Sequence, residues 1–112
     1  MDFKELDKHF YENEEPNIDI FNKLKTSEEL HYIAENHNWD NGITVLEWIV
    51  ESKLCSEATA LMIFWRAQPY DYVKYNYKIK TLKNYNDYDI DIFNLIRKII
   101  ENYKNGFYKK VQ

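Results

Sequence analysis

Cys55 has the strongest case in this sequence for nucleophilic chemistry. It stands in the joint between two apolar segments, one residue before Ser56, a residue type suited to capping the segment that follows. A thiolate is favoured beside the positive end of a helix dipole, and this position supplies one. A base to activate it would have to come from His9, His31 or His37, none of them near Cys55 in sequence. The competing reading is a small thiol packed beneath Leu54, the commoner fate of a single cysteine. One cysteine also rules out an internal disulfide.

Metal chemistry would draw on Glu28, Glu29, His31, His37 and Asp40, but these form neither an HExxH pattern nor a dense ligand cluster. His31 and His37 are six residues apart, so a continuous helix would point them in different directions. No metal site and no cofactor are expected. Glu47 and Glu51 lie one helical turn apart and could do acid-base work if buried in a cleft. On a polar helix face they form instead a solvated acidic row, the kind of surface that meets a basic protein. The run Tyr70 to Lys83 interleaves tyrosines with Lys74, Lys78, Lys80 and Lys83, as a platform for single-stranded nucleic acid would. Tyrosines lying against a core with lysines pointing outward would give the same pattern, and the RNP and KH signatures are missing.

The elements that must position these residues are helical in period. Residues 39–69 read as a turn at Asp40-Asn41-Gly42, a helix from Ile43, a short joint and a second helix from Ser56 to Ala67, stopped by Pro69. Asp40 either caps the first of these helices or faces a ligand; Asn41 is an alternative cap. Thr44, Glu47 and Glu51 share one line, with the remaining face apolar. The second helix carries Ala58, Ala60, Leu61, Met62, Ile63, Phe64, Trp65 and Ala67 in all directions, which implies that neighbours surround it. Trp65 is therefore expected deep in the core, with Phe64→Ala or Trp65→Ala costing about 3–5 kcal/mol.

Earlier in the chain, Phe3, Leu6 and Phe10 predict a first amphipathic helix over residues 3–12, broken before Pro16. A short helix from Asn17 turns Ile18, Phe21 and Leu24 inward, and Thr26 with Glu29 forms a capping box for a third helix whose stripe is Leu30, Ile33 and Ala34. Residues 72–83 fit both a period of two and a helical period, so periodicity alone leaves strand and helix open, and helix or irregular structure is preferred because a lone strand has no evident partner. Asp89 is expected to cap a last helix with Ile92, Phe93, Leu95, Ile96, Ile99, Ile100 and Tyr103 inward, ended by Gly106 and followed by a basic, partly loose tail from Phe107 to Gln112.

Length and charge set outer bounds. With 112 residues, two prolines and two glycines, the chain predicts one helical domain without need of staples. The formal charge of −4 conceals a split: residues 1–57 hold fourteen acids and five bases, residues 58–112 five acids and ten bases. Net acidity disfavours nonspecific nucleic-acid binding and favours basic protein partners. The apolar run is far short of the roughly 20 residues of a membrane span, and no signal-peptide pattern opens the chain, so a cytoplasmic location is expected.

The segments Asn38-Trp39-Asp40-Asn41-Gly42 and Ala60-Leu61-Met62-Ile63-Phe64-Trp65-Arg66-Ala67-Gln68-Pro69 resemble the core of a bacterial family known as domain of unknown function 4274. The likeness runs over residues 28–72 and, more loosely, the last helix. It implies a small helical bacterial protein with no assigned reaction, of a type that can accompany secreted toxins as a neutralising partner. The segment 72–88 matches nothing in the shared pattern and has the character of an insertion.

These readings converge on an all-α, single-domain bundle of about five to six helices around a central apolar helix, residues 57–67, with residues 70–88 as an insertion or irregular segment. The expected function is a non-enzymatic protein-interaction module of immunity type that binds a basic toxin domain through Trp39, Asp40, Glu47, Glu51 and Asp71. The alternative is a regulatory or single-stranded nucleic-acid-binding module using residues 70–83.

Overall fold

Asp2 accepts the amide of Glu5 and so starts α1, Phe3–Phe10, which buries Leu6. Asn17 caps the single turn of α2, Ile18–Phe21, by accepting the amides of Asp19 and Ile20. Of its apolar residues Phe21 is buried, as is Leu24 just beyond, while Ile18 faces solvent against expectation. The coordinates come from a computed structural model, and the structure describes residues 1–11, 15–70 and 87–110, excluding the side chains of 87 and 88. The ambiguous stretch 72–83 lies outside the described residues.

The capping box that opens α3, Ser27–Asn36, forms as the sequence predicts: Glu29 donates its amide to Thr26 Oγ1 at 3.2 Å and its carboxylate accepts the Thr26 amide at 2.9 Å. Burial by itself raises the Glu29 carboxyl. The Met1 ammonium at 2.7 Å and donors from Lys25 and Thr26 outweigh it and bring it down to about 2. A single 3-10 turn, Trp39–Asn41, follows. Asn38 caps that turn, and Gly42 at φ 86° redirects the chain into α4, Thr44–Glu51. Neither Asp40 nor Asn41 caps α4; its N-cap position is Ile43, with no side-chain hydrogen bond.

Ser56 caps α5, Glu57–Arg66, by accepting the Thr59 amide at 3.1 Å. The last helix, α6, spans Asp87–Lys104, so Asp89 lies inside it rather than at its cap. Its end is a Schellman motif: Gly106, at φ 68°, donates to the Tyr103 carbonyl at 3.1 Å and Phe107 to the Asn102 carbonyl at 3.0 Å. Six α-helices and no strand are present among the described residues, and one hydrophobic cluster joins all six, which makes the fold all-α.

The central helix differs from expectation. α5 buries Thr59, Ala60 and Ile63, whereas Leu61, Met62 and Phe64 are half-buried and Trp65 is 60 % exposed. Its neighbours are α3 and α6. Thr59, Ala60 and Ile63 occupy the enclosed face, leaving the Trp65 ring outside. The heaviest burial belongs to α4, with Val45, Leu46, Ile49 and Val50, and to α6, with Ile92, Phe93, Leu95, Ile96 and Ile99. The tail also differs: Tyr108 is buried, and Lys109 makes a parallel bridge with Ser56.

Candidate functional site, an acidic cleft between α4 and α6

α4 builds one wall of the cleft. Because Val45, Leu46, Ile49 and Val50 all turn inward, Thr44, Glu47 and Glu51 are left exposed on the opposite line, as their spacing requires. α6 builds the other wall. Its stripe Ile92, Leu95, Ile96 and Ile99 is buried, which leaves Asp91 and Asn94 exposed and Lys98 half-buried along the edge nearest α4. Between the walls lies a shallow cleft of about 160 Å³, lined by Glu47, Glu51 and Asp91 with Asn94 and Lys98, over a floor of Val50 and Leu95.

Partial burial in the cleft raises the Glu47 carboxyl above its ordinary range, and the charges of Asp91 and then Glu51 raise it further. Three like charges therefore share one concavity. Such a site attracts a cationic side chain, which would relieve the repulsion among the carboxylates. Among the described residues, no group of three or more His, Cys, Asp and Glu side chains has the geometry to hold a metal ion.

Other residues singled out by their chemistry lie elsewhere. Trp39 and Asp40 sit in the 3-10 turn and do not line the cleft: Trp39 is half-buried against the core, 6.1 Å from the His37 ring, and Asp40 is exposed. Asp71 lies outside the described residues. His37 Nε2 is 2.7 Å from the Gly42 carbonyl, and burial lowers its affinity for a proton. His31 Nδ1 is engaged by Thr59 Oγ1 at 2.8 Å. Cys55 is fully buried, and burial pushes its thiol up to about 12, so at neutral pH it is a protonated core residue that donates to the Ser56 carbonyl at 3.4 Å. Of the Tyr/Lys run, only Tyr70 is described, and it is 79 % exposed.

Asp91 is the one carboxylate of the cleft that the sequence did not single out. Its signal was a polar break between Ile90 and Ile92 in the apolar stripe, but nothing in a linear pattern says that this edge of α6 lies against Glu47.

A family model described as Domain of unknown function (DUF4274) matches residues 25–104. The chain belongs to this family. The DUF4274 match takes in α3 to α6, and with them all three carboxylates of the cleft, while α1 and α2 precede it. No curated protein and no solved structure matches the chain. Among the described residues, no helix is long and apolar enough to cross a membrane.

Proposed function

We propose that this DUF4274 chain is a non-enzymatic protein-interaction module of immunity type, a cytoplasmic protein that neutralises a basic toxin domain by covering it with the α4/α6 cleft. The observation that carries the reading is the convergence of Glu47, Glu51 and Asp91, with Glu47 raised by its surroundings. Carboxylates crowded in this way gain more from a lysine or arginine than isolated surface carboxylates do, because the incoming cation offsets repulsion as well as forming its own pair. Exposed aromatics, Trp65 and Tyr70 among them, add the type of side chain that anchors protein interfaces. The buried, protonated state of Cys55 fits a binding role better than a thiol-based reaction.

The test is co-expression with the product of the neighbouring gene. If that product arrests growth, this chain is expected to restore it, and the Glu47→Gln/Glu51→Gln variant to restore it poorly. Growth arrest that persists with wild-type chain present at equal abundance would remove the immunity reading.

A further inference from the structure

Away from the acidic cleft, α1, α3 and the start of α5 enclose a second and larger groove of about 440 Å³, within the size range of ligand-binding clefts. It shares no lining residue with the cleft. Phe3, 64 % exposed, is stacked on Tyr32 with ring centroids 4.4 Å apart and planes 7° from parallel. Tyr32 is itself held by donating to Asp7 at 2.8 Å, so this aromatic wall is braced from behind. Glu28 and Glu35, two turns apart on α3, flank the same groove, and neither carboxylate is in an ion pair among the described residues. Arg66 reaches this edge but donates to the backbone carbonyl of Glu35, at 2.7 Å. His31, between the two acids, is fixed through Thr59 Oγ1, which in turn lies 2.9 Å from Ser56 Oγ.

We propose that the groove receives an arginine side chain of a protein partner. The inference rests on the interaction-module reading and adds a second contact surface to it. A guanidinium stacks on an exposed aromatic face, and Phe3 offers one held in place by Tyr32. The apolar wall, which includes Ala58, suits the methylene stem that such a side chain buries while its head stays polar. Glu28 and Glu35 supply the acceptors for the head. A neutral apolar side chain would desolvate those carboxylates without pairing them, and an acidic one would be repelled. Lysine matches the charge but lacks the plane that stacks.

The experiment is an NMR titration of the isotope-labelled full chain with N-acetyl-arginine methylamide, run beside the lysine, citrulline and norleucine analogues. Shifts that saturate around Phe3, Glu28, Tyr32 and Glu35 are expected with arginine. Lysine should bind about threefold more weakly, and citrulline and norleucine should give no saturable change. Phe3→Ala and the Glu28→Gln/Glu35→Gln pair alter exposed side chains, leave the core intact, and are each expected to weaken arginine binding about fivefold or more. Glu101→Gln, at an exposed carboxylate that lines neither the groove nor the cleft, should leave it unaltered. Equal shifts from citrulline or norleucine, or no saturable shift from arginine, would overturn the proposal. Shifts confined to the α4/α6 cleft would also overturn it while leaving the cleft reading intact.

Discussion

Lys109 and Ser56 are joined as a parallel bridge that fastens the end of the described chain to the start of α5. The Lys109 amide donates to the Cys55 carbonyl at 3.1 Å, and the Glu57 amide donates to the Lys109 carbonyl at 2.7 Å. The second bond satisfies one of the amides that a helix N-terminus leaves open, so the tail completes the cap that Ser56 begins. Tyr108, 6 % exposed, drives the contact, with its hydroxyl 3.3 Å from Asn102 Nδ2.

Tyr108→Ala should therefore destabilise by about 2–4 kcal/mol, more than a substitution in a loose tail could. Tyr108→Phe, which removes only the hydroxyl, should cost about 1 kcal/mol. Urea denaturation followed by circular dichroism measures both.

Trp65→Ala is expected to change stability by less than about 1 kcal/mol, because most of that ring is already in water. Phe93→Ala removes a side chain with no exposed surface from the centre of α6 and should cost about 3–5 kcal/mol. Equal midpoints for the two variants in the same denaturation series would show that the core is misassigned.

The contrast between these two aromatics shows what a linear sequence conveys here. Periodicity and caps were legible: the Thr26/Glu29 box, the Ser56 cap, the inward face of α3, that of α6 apart from Tyr103, which is exposed, and the exposed line of Thr44, Glu47 and Glu51 all follow from local chemistry. An apolar composition around α5 showed that it is greasy but not which side its neighbours occupy, since enclosure is decided by other helices. Trp65 lies outside for that reason. Asp91 escaped notice because its meaning comes from α4, and the Lys109 bridge because it joins residues more than fifty positions apart through backbone groups that every sequence possesses.

Gln68 offers a gain instead of a loss. It holds a left-handed backbone at φ 57°, just after α5, and donates its amide to the Trp65 carbonyl at 3.2 Å, the position where helices favour glycine. Gln68→Gly should relieve the strain and, after the greater freedom of glycine in the unfolded chain is counted, stabilise by about 0.5–1 kcal/mol. A lower thermal midpoint for this variant would contradict the assignment.

Glu47 gives a pH signature with a defined sign. Its carboxyl binds a proton more readily in the folded protein than in the unfolded chain, so ionisation disfavours folding. Glu47→Gln should be more stable than wild type at neutral pH, with the advantage shrinking as pH falls through the raised value of Glu47 and gone below about 4. Stability curves for the two proteins between pH 3 and pH 7 measure this, and a gap that widens on acidification would contradict the partial burial of Glu47 beside Asp91 and Glu51.

The most direct test of the cleft as a protein-binding surface is a calorimetric titration of this chain with the purified product of the neighbouring gene, at low salt and at high salt. The expected result is saturable binding that weakens as salt shortens the electrostatic range, and that Glu47→Gln/Glu51→Gln weakens about tenfold at low salt. Absence of binding at low salt, or an affinity indifferent to both salt and the double substitution, would contradict the account.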